Sequence, residues 1–228
     1  MKSNAVVYIC DASLLEDMEL YNFIYSSVSE ARRSKTDRLA FNKDRNLSLS
    51  AEYLLMCACR DFDLSYKDLR VGYGENSKPY LINSPLCFNL SHSEKRAMCV
   101  MSDVPCGCDV EFIKPFNPRI AERFFSFSEK QTVASGNTER EREELFYRIW
   151  TLKESFIKCT GTGLNTALDS FSVQPGNPYA KICQSGFDGE FTLKEFVPED
   201  GYRYSCCVKA AEGSCGFEFK FKKIGYNF

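Results

Sequence analysis

The chain of 228 residues carries 29 Lys and Arg against 31 Asp and Glu, a formal net charge of −2. That balance gives no basic field for non-specific nucleic-acid binding, and no apolar run reaches the roughly 18 residues of a membrane span, so neither a nucleic acid nor a membrane is expected as a partner. The length suits one large domain or two of roughly 100 residues, and the twelve cysteines fall below the roughly 8–10% typical of short disulfide scaffolds.

The opening residues, MKSNAVVYICDASLLEDMEL, place acidic residues directly after a short apolar run and offer no small-residue cleavage site, unlike a secretory signal. A cytoplasmic protein is expected, with its cysteines as core thiols in a reducing compartment. Cys57 and Cys59, then Cys106 and Cys108, are C-x-C pairs in a chain with one histidine, which is not the spacing of a structural zinc site.

AVVYIC predicts an opening strand. SEARRSKTDRLAFNKDR predicts a polar helical region, whose five basic residues between Arg32 and Lys43 read either as a solvated face or as a phosphate-binding one. In NLSLSAEYLLMCACRDF, Leu47, Ala51, Leu54, Leu55 and Ala58 recur at the spacing of a buried helical stripe. GYGENSKPYLI is a glycine-punctuated turn entering a short strand. CFNLSHSEKRAMCVMSD reads as strand, polar loop, strand, with Ser91, His92 and Ser93 in the loop.

CGCDVEFIKPFNP alternates strictly, sending Cys108, Val110 and Phe112 to one face and Asp109 and Glu111 to the other before prolines end the strand. NPRIAERFFSFSEK suggests a short helix and a turn. A long helix follows from about Glu139, with Leu145, Ile149, Leu152 and Phe156 as its stripe and Gly161 and Gly163 at its end. The tail is β-rich, with a hairpin turning at Glu199 to Gly201 and an alternating strand in CGFEFKFKK. Each half therefore offers helices and several strands, and a division near Pro105 to Gly107 is expected, with residues 1–106 as the N-terminal unit and 107–228 as the C-terminal one.

Two stretches invite chemistry. Asp109 and Glu111 leave the same strand face at about 7 Å spacing. On a solvated edge such a pair is ordinary; in a site it suits magnesium, which takes oxygen ligands from one or two carboxylates and from substrate phosphates. In WTLKESFIKCTGTGL, Glu154 and Lys158 are neighbours one helical turn apart, an ordinary surface ion pair unless Glu154 brings a third carboxylate. The lone His92 suits hydrogen bonding to phosphate better than proton transfer.

Together these stretches resemble the Sfp-type 4′-phosphopantetheinyl transferases: FNLSHS, GCDVE, FFSFSE and WTLKESFIKCTGTGL occur in the family's order, preceded by SKPYL and, more faintly, by EARRSK and DRNLSLSAEYLL. The resemblance implies an α+β fold of two similar α/β subdomains related by a pseudo-twofold axis, with the site between them. It implies an enzyme that transfers the 4′-phosphopantetheine arm of coenzyme A to a serine of an apo acyl or peptidyl carrier protein and releases adenosine 3′,5′-bisphosphate. The alternative is a non-catalytic module of the same fold that binds coenzyme A or a nucleotide.

Carried over position by position, the resemblance implies Mg²⁺ ligated by Asp109, Glu111 and Glu154. Glu154, Lys158, His92 and Glu129 form the implied catalytic group, with Glu154 or a metal-held water taking the serine proton, Glu129 acting through water, and Lys158 on the coenzyme A diphosphate. Ser91 and His92 hold phosphate on the nucleotide side, Lys78 contacts the nucleotide, and Arg32, Lys35 and Arg45 take the 3′-phosphate. Serine at position 77 replaces the family's glycine before Lys78, and Cys108 stands where an aliphatic residue is usual. A monomer is expected, with carriers of fatty-acid, polyketide or non-ribosomal peptide synthesis as the partners.

Overall fold

In the computed structural model, which describes residues 3–210 and 217–225, the first apolar run forms β1 (Ser3–Asp11). The polar region after it is split into α1 (Met18–Ser27), α2 (Glu30–Asp37) and α3 (Asn42–Asp61), so the basic stretch spans two helices rather than one. Ser29 starts α2 by accepting a hydrogen bond from the Arg32 amide. The α3 stripe of Leu47, Ala51, Leu54, Leu55 and Ala58 is buried throughout.

A small hairpin of β2 (Val71–Tyr73) and β3 (Pro79–Leu81) precedes β4 (Cys87–Ser93), β5 (Arg96–Ser102) and β6 (Cys106–Phe112). The loop expected at Ser91 to Ser93 is therefore the end of β4, and the turn falls at Glu94 and Lys95. Beyond β6 come α4 (Pro118–Phe124), α5 (Phe127–Ala134) and α6 (Glu139–Thr160). Here the expected turn after the short helix opens into α5, because Ser126 and Glu129 form a reciprocal capping box. The tail supplies β7 (Ser172–Gln174), β8 (Tyr179–Cys183), β9 (Phe191–Phe196), β10 (Tyr202–Lys209) and β11 (Phe217–Lys223). Cys215 and Gly216, which begin the alternating CGFEFKFKK stretch, lie outside the described residues, as do Met1 and Lys2.

Two sheets result, with strand orders β11-β1-β5-β4 and β6-β10-β9-β8-β7. In each half the first strand pairs antiparallel with the last and the last with the one before it, β1-β5-β4 in one and β6-β10-β9 in the other. The long helices α3 and α6 lie between the paired strands in sequence. The same α/β topology thus occurs twice, and β11 returns to the first sheet, parallel to β1.

Side-chain alternation stacks these elements in four layers. Val6, Tyr8 and Cys10 of β1 pack with Leu54, Leu55 and Ala58 of α3. Ala5, Val7 and Ile9 face the other way, against Cys106, Cys108 and Val110 of β6 and Tyr204, Cys206 and Val208 of β10. Cys207 and Leu193, on the outer face of the second sheet, join Ile149, Leu152 and Phe156 of α6. The order is α3, first sheet, second sheet, α6. Among the described residues, Cys10, Cys57, Cys59, Cys99, Cys106, Cys108, Cys159, Cys206 and Cys207 are buried free thiols, and no helix is long and apolar enough to cross a membrane.

Candidate active site

The site begins with a glycine. A Cβ on Gly107 would fall 2.2 Å from the Ser155 carbonyl oxygen and 2.3 Å from the Cys159 amide nitrogen, so β6 rests directly on the backbone of α6. Only glycine permits that approach. Because side chains alternate along a strand, Asp109 and Glu111 leave β6 on the same face as Gly107, toward the helix, while Cys108 and Val110 enter the core between the sheets. On α6, Glu154 and Lys158 are one turn apart and share a face.

Lys158 Nζ donates to Asp109 Oδ1 at 2.5 Å and to Ser91 Oγ at 3.2 Å, and the Ser91 hydroxyl donates to the same Asp109 oxygen at 2.8 Å. Asp109 is 3% exposed, yet its second oxygen, Oδ2, is buried with no hydrogen-bond partner. Glu111 Oε2 accepts from the Ser93 hydroxyl at 2.8 Å.

Burial, and then the charge of Asp109, push the Glu111 carboxyl up to about 7. The same two causes raise Glu154, offset in part by Lys158. Burial works against the Lys158 ammonium, but Asp109, Cys108 and Glu154 reverse that and lift it above the ordinary lysine value. Three carboxyl groups thus share one electrostatic neighbourhood with Lys158 among them, and Lys114 also acts on Glu111.

The donor chemistry fits a hard divalent cation. The oxygens are carboxylate oxygens, one of them buried and unpartnered, and two carboxyl groups are raised first by burial and then by the Asp109 charge, which a cation would offset. The groups are not already drawn around one point: among the described residues, no three His, Cys, Asp or Glu side chains form a group that could hold a metal ion. Lys158 takes up one of the Asp109 oxygens instead.

The basic residues divide. His92, next to Ser91 on β4, reaches solvent, but the protein around it desolvates the ring enough to lower its pKa, and Lys158, Lys35 and Arg32 lower it further. These three cations therefore share the neighbourhood of His92. Arg32 is bound to Glu52, which also accepts from Tyr66 at 2.7 Å, and Lys35 is exposed. Arg45 donates its Nε to the Leu39 carbonyl at 2.8 Å, near the start of α3. Lys78 donates to the carbonyls of Cys106 at 3.0 Å and Cys159 at 2.8 Å, pinning the β2-β3 hairpin to β6 and to the end of α6.

Glu129 is not brought to this group. It is 1% exposed, and its oxygens accept from the amides of Ser126 and Val173 and pair with Lys153 at 2.7 Å, all within the second half. Lys153, absent from the expected site residues, is 0% exposed and also donates to the carbonyls of Leu168 and Phe171. Its place on the apolar stripe, four residues after Ile149 and three before Phe156, is the signal that marks it as buried. Nothing in the local sequence around Ser93 signals its bond to Glu111, which depends on β4 lying beside β6.

Gly161 ends α6 in the left-handed conformation, φ 75°, and its carbonyl accepts from Asn76 of the hairpin turn at 2.9 Å. The glycines beyond Lys158 therefore seat the first half's hairpin against the helix end.

The 4′-phosphopantetheinyl transferase superfamily pattern matches residues 105–207, the span that holds β6 and α6. Among curated proteins, the chain is similar to the 4′-phosphopantetheinyl transferase Sfp of Bacillus subtilis (strain 168), 33% identical over 188 residues that cover 80% of this chain and 83% of the relative. A second 4′-phosphopantetheinyl transferase of Bacillus subtilis is 35% identical over 199 residues, 86% of this chain and 88% of that one. Among solved structures, the Thermotoga maritima holo-[acyl-carrier-protein] synthase matches with a TM-score of 0.39 and 25% identity, over 46% of this chain and 62% of that one.

Proposed function

On the premise that this chain belongs to the 4′-phosphopantetheinyl transferase superfamily, we propose that the β6–α6 face is where it carries out the family's reaction. The chain is an enzyme, a holo-carrier-protein synthase, that transfers 4′-phosphopantetheine to carrier proteins. The donor is coenzyme A and the acceptor a serine hydroxyl. The serine oxygen bonds to the β-phosphorus, the bond from that phosphorus to the bridging oxygen breaks, and adenosine 3′,5′-bisphosphate leaves.

The family typically uses Mg²⁺, and here Asp109, Glu111 and Glu154 would hold it. When bound, it neutralises phosphate charge and so favours displacement at phosphorus. The observation that carries this reading is the buried, unpartnered Oδ2 of Asp109, in the electrostatic neighbourhood of two carboxyl groups whose pKa is raised. Lys158 presents its ammonium to the diphosphate and steadies the charge on the departing phosphate. Glu154 takes the proton of the attacking serine.

Ser91 and His92 face the nucleotide phosphates, and Arg32, Lys35 and Arg45 receive the 3′-phosphate. The convergence of Lys158, Lys35 and Arg32 on His92 supports an anion there. Lys78 acts on the nucleotide side by fixing the hairpin to the two site elements. Glu129 acts at a distance, by holding Lys153 and so the shape of α6. One chain supplies all of these residues from its two halves, which supports a monomer as the working unit. The buried free thiols support a reducing, cytoplasmic compartment. Phe127, 76% exposed at the start of α5, offers the carrier an apolar side chain to dock against.

Asp109→Ala and Glu154→Ala should each abolish labelling of an apo carrier protein by a fluorophore-tagged coenzyme A, with an unchanged circular dichroism spectrum. Labelling at the wild-type rate would remove that residue from the mechanism.

A further inference from the structure

β6 is the edge strand of the second sheet. Three of its amides, those of Cys108, Val110 and Phe112, donate not to a neighbouring backbone but to side chains of β4. The acceptors are Asn89 Oδ1 at 2.9 Å, Ser91 Oγ at 3.4 Å and Ser93 Oγ at 3.2 Å. Each bond joins residues 19 apart in sequence, so the two strands run in the same sense with matched rise and a shared period of two. The ladder replaces the strand that would otherwise close this edge.

The serines add something the asparagine does not. A hydroxyl oxygen that accepts from an amide still has its proton to give. Ser91 gives its proton to Asp109, and Ser93 gives its proton to Glu111, both at 2.8 Å. Each serine therefore grips one amide of β6 and the carboxylate of the residue just before it, fixing the side chain relative to its own backbone. Asp109 has Lys158 as a second donor, whereas among the described residues Ser93 is the hydrogen-bond donor to the Glu111 carboxylate.

We propose that Ser93 is a positioning residue, holding the Glu111 carboxylate in the orientation needed to take a divalent cation. The proposal rests on reading Asp109, Glu111 and Glu154 as the cation's ligands. A glutamate side chain has three rotatable bonds, and fixing its end in advance removes an entropic cost from ligation.

The test compares Ser93→Val with Ser93→Thr, which have nearly the same shape and both suit a strand, but only threonine keeps the hydroxyl. Manganese binding to the protein, with and without coenzyme A, is read from the loss of the free Mn²⁺ signal in electron paramagnetic resonance. The half-saturating Mg²⁺ concentration for carrier labelling is measured alongside. Ser93→Val should weaken Mn²⁺ binding and raise the Mg²⁺ requirement roughly tenfold, and Ser93→Thr should restore most of both. If valine is not accommodated, Ser93→Ala takes its place in the comparison.

Equal cation affinity in wild type, threonine and hydroxyl-free variants would overturn the proposal, as would equal weakening in both variants. Asp109→Asn distinguishes this failure from that of the underlying reading. If Asp109→Asn binds Mn²⁺ like the wild type, the ligand assignment falls. If it loses binding while Ser93→Val does not, only the role of Ser93 falls.

Discussion

Helix α6 carries two lysines a turn and a half apart, and each meets a buried carboxylate, yet the two pairs differ in one respect. Lys153 is closed on all sides: Glu129 at 2.7 Å, the carbonyls of Leu168 and Phe171 at 2.8 Å each, and the Phe171 ring beneath it at 4.2 Å. Its partner is equally occupied, since Glu129 also accepts from Ser126 and Val173. Lys158 and Asp109 are left open, with one aspartate oxygen buried and unpartnered and the lysine side chain 28% exposed. A buried polar atom without a partner costs about 1–3 kcal/mol. Of the two pairs only the one at the candidate site carries that cost, so saturation fits a structural role for Lys153 and residual capacity fits the binding role proposed for Lys158.

Exchanging each lysine for methionine gives the sharpest test of this contrast. Lys153→Met leaves the Glu129 charge buried without its cation and should lower the free energy of unfolding by about 3–5 kcal/mol, read from urea denaturation. Lys158→Met should cost less, about 1–2 kcal/mol, because the Ser91 hydroxyl still donates to Asp109 and water can enter where the partly exposed lysine lay, while carrier labelling falls by about 100-fold or more. Equal stability losses in the two variants would erase the distinction.

Much of this arrangement is legible in the residues themselves. The strict alternation of β6 separates Asp109 and Glu111 from Cys108 and Val110, and the stripes of α3 and α6 identify their buried faces, because periods of 2 and 3.6 are local properties. The capping box between Ser126 and Glu129 is also a local pattern, and it explains why a predicted turn is a helix. Ser91, His92 and Ser93 look like a loop because they are polar; they form strand because their backbone pairs with β5, while the serine hydroxyls on the other side accept from the amides of β6. Lys78 illustrates the limit of position alone. Its place beside the proline is visible, but its bonds to Cys106 and Cys159 depend on how the two halves meet. The pairing of β11 with β1 joins the two ends of the chain, and no local pattern encodes such a contact. The repeated topology is likewise a property of strand order, with no repeat to be seen in the residues.

The second test moves from the lysines to the contact that brings Lys158 and Asp109 together. Gly107→Ala places a methyl group on the α6 backbone, where the Ser155 carbonyl and Cys159 amide cannot move without disturbing the helix. Overpacking of this kind should cost about 1–3 kcal/mol. Because the displaced elements carry Asp109 and Lys158, labelling should fall more than stability does, whereas the Lys153 pair, farther along the helix, is disturbed less. Loss of stability with full labelling of the folded fraction would show that the close β6–α6 contact does not set the site.

The smallest effect belongs to a third lysine–carboxylate pair, with water at hand. Asp61 Oδ2 accepts from Lys222 of β11 at 2.7 Å and from the Tyr8 hydroxyl at 3.0 Å. Partial burial raises the Asp61 carboxyl, but the bonds from Lys222 and Tyr8 outweigh it, so its pKa in the fold lies below the ordinary aspartate value. A carboxyl lowered in this way contributes stability in full above its unfolded pKa and loses it as the pH falls through the folded value. Wild type should therefore exceed Asp61→Asn by about 0.2–1 kcal/mol at neutral pH, and the difference should shrink below about pH 4. Salt should shrink it as well, because the pair is exposed. A difference as large as that of Lys153→Met, or one insensitive to acid, would mean that solvent access is not what separates the structural pair from the weaker ones.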